Sequence, residues 1–215
     1  MADNLIEAQY DVTKKTKLRK FYEKYKILIF STTFLLIFGL GFFSIYLENK
    51  EKKKILLSEN YIQAKFYLVN GNKSEALNTL KKVIFANDST YSTLSFFLII
   101  NENLISNHKE ISDLYDHLLT NNNFAEELRN LLIYKKALFN SDHVNESELL
   151  ETIKPLLKKD ALWKPHGLLL LGDYYVSKGE HIKAIEFYQQ ILSINNLHKN
   201  FYDQAKSQLV MIANE

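Results

Sequence analysis

Residues 27–47 read ILIFSTTFLLIFGLGFFSIYL, a run of 21 positions without a charge in which only Ser31, Thr32, Thr33 and Ser44 are polar. At ~1.5 Å rise per residue a helix of that length spans about 31 Å, close to the ~30 Å hydrocarbon core of a bilayer. The pattern predicts one transmembrane helix. A buried helix of a soluble core usually keeps a polar stripe or is shorter. A cleaved signal has a shorter apolar stretch and a small-residue cleavage site, whereas the charged ENKEKKK follows here. Gly39 and Gly41 stand two apart, so the span lacks the GxxxG spacing that brings membrane helices close.

From residue 48 onward apolar residues recur at three and four, broken by clusters of Asn, Asp, Ser and Gly, which predicts short amphipathic helices. Thr93 to Ile100, TLSFFLII, has strand-type residues, yet no second strand lies nearby to pair with it. Its continuation through Asn103, Leu104 and Ile105 predicts a helix of about 15 residues. The fold class is therefore all-α.

The helical pattern repeats. In LLLLGDYYVSKGEHIKAIEFYQQILSINN, the residues Leu168, Leu171, Gly172, Tyr175, Gly179, Ala184, Tyr188 and Ile191 stand at a spacing that resembles the tetratricopeptide repeat. Small Gly172 and Ala184 suit the crossing of two antiparallel helices, Gly179 the turn, and Tyr175 and Tyr188 the space between successive pairs. Pro165 fits the first helical turn, and Asn195 and Asn196 are expected to end the second helix. A first copy, YIQAKFYLVNGNKSEALNTLKKVIFAND, matches it through Ala64, Tyr67, Gly71, Ala76, Leu80 and Val83. Two degenerate copies lie between, HKEISDLYDHLL with Ile111, Tyr115 and Leu118, and NESELLETIKPLL with Leu149, Ile153 and Leu156. Equivalent positions step from Ala76 by 35 to Ile111, by 38 to Leu149 and by 35 to Ala184, near the ~34-residue period of such arrays. The expected architecture is a solenoid of about four helix pairs. Phe201, Ala205, Leu209 and Ile212 in residues 199–213 suit a terminal helix that caps the last pair.

Charge adds sidedness. Residues 1–26 hold seven Lys and Arg against four acids, while the rest of the chain holds 20 bases and 21 acids, so the net charge of +2 combines a basic head with a nearly neutral body. Seven bases precede the span within about 15 residues, and four follow it (Lys50, Lys52, Lys53 and Lys54). The bias keeps the head in the cytoplasm and the body outside it. The expected domains are a basic head (1–26), a transmembrane helix (27–47) and a repeat domain (48–215). The basic excess does not extend over the body, and the aromatics sit at packing positions, so nucleic-acid binding is not expected. There is no cysteine, hence no disulfide, thiolate metal site or thiol nucleophile.

Catalytic patterns are missing. His108, His117, His143, His166, His181 and His198 form no HExxH and no i, i+4 pair, and neither GxSxG, a phosphate loop nor a dinucleotide fingerprint occurs. Glu126–Glu127 and Glu146–Glu148 read as first-turn acids that favour the helix dipole. No enzyme activity, metal or cofactor is expected.

Stacked helix pairs curve so that their first helices line a groove able to take a peptide or partner helix. The groove candidates are Tyr61, Lys65 and Leu68 in the first pair and His166, Leu169, Asp173 and Val176 in the last. The YxxAxxxL pattern of Tyr61 to Leu68, GNKSEA at 71–76 and LLLGDYYVSKGEHIKAIEFY at 169–188 carry a further likeness. With the head, span and repeats, the chain resembles the bacterial ancillary subunit of the inner-membrane protein-translocation channel. It departs by using Ile, Phe, Lys and Asn where such proteins often use Ala. The resemblance implies an inner-membrane protein with a periplasmic repeat domain. Its implied partners are the lipid bilayer, the channel, and membrane-anchored and soluble periplasmic chaperones that receive exported proteins. A scaffold for another envelope assembly, in division or outer-membrane biogenesis, has the same architecture.

Overall fold

The computed structural model describes residues 3–158 and 161–214, with backbone alone at 3–18, 20 and 29. Lys14, Lys15, Lys17 and Lys20 of the basic head therefore lie outside the described side chains, and Met1, Ala2 and Glu215 lie outside altogether. The elements in order are α1 (Asp3–Val69), α2 (Lys73–Phe85), α3 (Ser89–Asn101), α4 (His108–Asn121), α5 (Glu126–Asn140) and α6 (Glu146–Ile153). A 3-10 turn (Lys154–Leu157), α7 (Lys164–Ser177), α8 (His181–Leu192) and α9 (Lys199–Ala213) complete the chain. No strand occurs among the described residues.

The chain divides into two compact units, Met1–Leu56 and Leu57–Glu215. In the first, every described side chain of the apolar run is exposed, which is the opposite of a helix in a soluble core. It is long and apolar enough to cross a membrane. The hydroxyl of Thr32 donates to the Leu28 carbonyl one turn back, so a polar group in this run finds its partner within the helix. Phe34, Phe38 and Phe42 stack along one side with ring centroids 4.5 and 6.3 Å apart.

Among its described residues the second unit holds eight helices of 15 residues or fewer after the end of α1. Helices of ~12–15 residues are marginal on their own and need a neighbour to bury one face. Consecutive helices supply that neighbour from α2 through α5, and again from α7 through α9, while the 3-10 turn joins α5, α6 and α7. Alternate helices also touch, α5 with α7 and α7 with α9. One buried cluster gathers Ala64, Leu80, Ile84, Phe96, Ile99, Tyr115 and Leu118. The other gathers Ile133, Leu149, Ile153, Leu168, Leu171, Tyr175, Tyr188 and Ile191.

The positions equated in the sequence occupy equivalent places. Ala76, Ile111, Leu149 and Ala184 are each the fourth residue of α2, α4, α6 and α8, and all four are buried. At that place the residue faces the preceding helix as the chain turns back, so only a small or apolar side chain fits. The two glycine turns are also alike. Gly71 and Gly179 take φ of 77° and 72°. In each, two amides close the helix end, Gly71 to Leu68 and Asn72 to Tyr67, and Gly179 to Val176 and Glu180 to Tyr175.

Some details differ from the expected ones. Helix α3 ends at Asn101 and does not run through Ile105, because Asn103 enters the left-handed region at φ 49° and Leu104 bonds back to the Ile99 carbonyl. Asn87, at φ 58°, ends α2 in the same conformation, and Asp88 then caps α3 by accepting from the Thr90 and Tyr91 amides. Buried Ser92 completes this corner by donating to the Val83 and Ile84 carbonyls. Helix α8 stops at Leu192, ahead of Asn195 and Asn196. Tyr188 fills the space inside its own pair instead of between pairs, since it lies against Gly172, and Tyr175 alone reaches back to the preceding α6.

A Cβ at Gly172 would stand 2.4 Å from Tyr188 Cε1, so Gly172→Ala is expected to lower the unfolding free energy by ~1–3 kcal/mol through overpacking. Gly71→Ala meets open space and should cost ~1–2 kcal/mol from its left-handed backbone alone. Urea unfolding of the solubilised chain, followed by circular dichroism, measures both, and an unchanged midpoint for Gly172→Ala would contradict the close crossing of α7 and α8.

Candidate functional site

The odd-numbered helices share a string of aromatic contacts. Tyr61 of α1 meets Tyr91 of α3 at 6.4 Å between ring centroids, and Lys135 of α5 lies over Phe97 of α3 at 5.8 Å. Further along, Tyr134 of α5 meets Trp163 at 6.0 Å and His166 of α7 at 5.5 Å. His166 in turn packs against Trp163 at 4.6 Å and against Phe201 of α9 at 4.6 Å. Each of these rings is half-buried.

Local structure explains the placement. Glu127 and Tyr134 are seven apart on α5, and His166 and Asp173 seven apart on α7, so each pair shares a helix face. Trp163 precedes the first turn of α7, where Pro165 costs no hydrogen bond, and this fixes the ring across α5. The indole N–H of Trp163 donates to Glu127 Oε2 at 2.8 Å. The Tyr188 hydroxyl donates to Asp173 Oδ1 at 2.7 Å.

One acid of this face, Asp173, is partly desolvated. Burial holds the Asp173 carboxyl above the usual carboxylate range, and the Tyr188 bond offsets part of that. The Tyr134 phenol is pushed up by burial and by the charge of Asp173. Burial lowers His166, whose Nδ1 is buried without a hydrogen-bond partner, so the ring is neutral at pH 7. Among the described residues no Lys or Arg forms an ion pair with Glu127 or Asp173.

The even-numbered helices carry a different chemistry. Lys81 of α2 pairs with Glu110 of α4. Glu146 at the start of α6 accepts the Tyr175 hydroxyl at 2.6 Å and Lys183 of α8 at 3.1 Å. Those bonds hold Glu146 below its ordinary range, while burial and Glu146 together push Tyr175 up to about 12. Lys183, gripped by Glu180 and Glu146, is also raised. Every one of these acids has a cation.

The groove candidates therefore separate. His166 and Asp173 come together beside Tyr134, and Tyr61 joins Tyr91 on the same series of helices. Lys65 is exposed, Leu68 is half-buried, and Leu169 and Val176 pack at the edge of the core. Of the packing residues, Ala64, Ala76, Gly172, Tyr175, Ala184 and Tyr188 are buried, and Gly71 and Gly179 make exposed turns. Tyr67 is only half-buried, unlike its equivalent Tyr175, because it has no preceding even-numbered helix in its unit to reach. Glu126 and Glu127, and Glu146 and Glu148, lie in the first turns of α5 and α6. Tyr134 and Trp163 were not expected from the sequence, while Glu127 was expected only as a first-turn acid and Phe201 only on the capping face; the spacing of seven from Glu127 to Tyr134, like that from His166 to Asp173, was the available signal. Among the described residues no group of three His, Asp or Glu is arranged to hold a metal ion.

Glu146 and Asp173 should respond to pH with opposite sign. A lowered folded-state pKa makes Glu146 stabilising at neutral pH, and that contribution fades as pH falls through and below about 4.5. Glu146→Gln is therefore expected to lower the melting temperature at pH 7 and to shrink the difference toward acid pH. A raised pKa means that Asp173 favours folding when protonated and loses that advantage as pH rises above the carboxylate range. Asp173→Asn, which can still accept from Tyr188, should keep or raise the melting temperature at pH 7. Thermal melts of both variants across pH 3 to 8 check the signs, and parallel slopes would contradict them.

The chain matches no protein-family model, no curated protein and no solved structure.

Proposed function

We propose that the protein is a noncatalytic, membrane-tethered interaction protein whose odd-numbered helices line a groove for a polypeptide segment. The observation that carries this is two sets of aromatic contacts between alternate helices of one unit, Tyr61 with Tyr91, and Tyr134 with Trp163, His166 and Phe201. Aromatic side chains offer large contact area at small entropic cost, which suits a protein-binding face. The equivalent fourth residues of α2, α4, α6 and α8 support a tetratricopeptide-like solenoid of four pairs with α9 as cap. The tyrosines are pushed up in pKa, which disfavours a tyrosinate nucleophile, and this supports a binding role over catalysis.

In this reading residues 27–47 anchor the chain in the bacterial inner membrane with the head in the cytoplasm and the repeat domain in the periplasm. The likeness of residues 61–76 and 169–188 to the ancillary subunit of the translocation channel supplies the partners. These are the channel itself and the periplasmic chaperones, membrane-anchored and soluble, to which exported chains are handed.

Photocrosslinkers installed at Tyr61 and Asp173 in living cells are expected to capture a channel subunit, a chaperone or an exported chain. Capture of division or outer-membrane assembly factors instead would assign the same architecture to another envelope scaffold. A periplasm-active reporter fused after Asn214 should be active, and an inactive fusion would reverse the sidedness and remove the export role.

A further inference from the structure

We infer that Tyr134, Trp163, His166 and Phe201, flanked by Glu127 and Asp173, form a notch that receives the cationic side chain of an Arg or Lys in an extended polypeptide. The inference rests on the groove reading above and names the chemistry its last third selects.

Three rings, Tyr134 of α5, Trp163 on the approach to α7 and Phe201 of α9, converge on His166 of α7, with centroid distances of 4.6 to 5.5 Å from that ring. An aromatic face attracts a cation through its quadrupole, most strongly for Trp and once water is displaced. The histidine, which would repel a cation if charged, is held neutral by burial. Its Nδ1 is buried without a hydrogen-bond partner.

The acids complete the selection. Glu127 uses one carboxylate oxygen, Oε2, for the Trp163 indole, and Asp173 uses Oδ1 for Tyr188. Neither faces a cation of its own among the described residues, whereas Glu110, Asp116 and Glu146 elsewhere in the unit are each paired with a lysine. Two carboxylates, each held through one oxygen and one of them, Asp173, partly desolvated, stand beside aromatic faces and are complementary to a guanidinium or ammonium and unfavourable to an acidic segment. A neighbouring hollow of about 550 Å³, whose lining includes Leu162, Lys164, Pro165, Leu197, His198 and Phe201, shares Phe201 with the notch and gives the flanking residues of the same polypeptide a place to lie.

Trp163 is the only tryptophan of the chain, so its emission reports on the notch directly. The full protein in lipid nanodiscs is titrated with a peptide of alternating Ser and Val around a central Arg, and with the same peptide carrying citrulline, its neutral isostere. The Arg peptide is expected to shift Trp163 emission saturably and to bind at least about ten-fold more tightly than the citrulline peptide. Glu127→Gln with Asp173→Asn should bring the two peptides level while Glu186→Gln, an exposed acid on α8, leaves the preference intact. Thermal melting of the double variant confirms that it is folded. Equal binding of both peptides to the unaltered protein overturns the notch and leaves the groove standing. Failure of both to bind overturns the groove as well, and a preference that survives the double substitution overturns the role of the carboxylates.

Discussion

Helix α7 can lie against α8 only because position 172 has no side chain. The ring of Tyr188 occupies the volume a Cβ would need, with three ring atoms within 2.9 Å of it, and that contact sets how closely the two helices approach. Everything at the C-terminal end of the unit follows from this distance. Tyr188 is fully buried and still bonds Asp173, Ala184 sits without exposure at the same crossing, and α9 closes on α8 through Ala205. Interiors are packed too densely for the contact to be relaxed by a small shift of one partner. A bulkier residue at 172 would move the helix that carries His166 and Asp173, so the packing glycine and the aromatic notch are parts of one constraint.

The even- and odd-numbered helices divide the work. The even ones bring Ala76, Ile111, Leu149 and Ala184 to buried fourth positions and pair Glu110 and Glu146 with lysines of other helices. Such exposed pairs contribute little energy singly. The odd ones instead place aromatic rings half in and half out of solvent and hold Glu127 and Asp173 with no ion pair among the described residues. Burying those rings completely would have strengthened the core at ~25 cal/mol per Å² of apolar surface. Their partial exposure is a loss to stability that a binding face explains.

The division was only half legible in the sequence. Spacing alone located the apolar run, the glycine turns and the fourth-residue positions, because each is dictated by local geometry: helix rise, a left-handed backbone or a helix crossing. The ends of α2 and α3 escaped because Asn87 and Asn103 take the left-handed conformation usually given to glycine, and an Asn in an Asn-rich chain is a weak marker. The notch escaped for a different reason. Glu127, Tyr134, Trp163, His166 and Phe201 come from three helices and a connecting turn, and α5 matches no repeat copy closely enough to be aligned with α7. Only packing brings Tyr134 onto His166, so composition and period could name His166, Asp173, Glu127 and Phe201 separately but could not bring them together.

Asp173 and Glu146 are the sharpest contrast in the molecule, since both are carboxylates that accept a tyrosine hydroxyl at 2.7 and 2.6 Å. Geometry at the phenol is the same; what differs is the rest of the surroundings. Lys183 compensates Glu146 and draws its pKa down, so that acid contributes to folding at neutral pH. Asp173 has desolvation without a cation, so its charge is carried at a cost that the uncharged amide of Asn, equally able to accept from Tyr188, would avoid. A structural role needs only the acceptor oxygen. The negative charge itself has a purpose only if something positive arrives, and the aromatic face of α5, α7 and α9 is where it would be received.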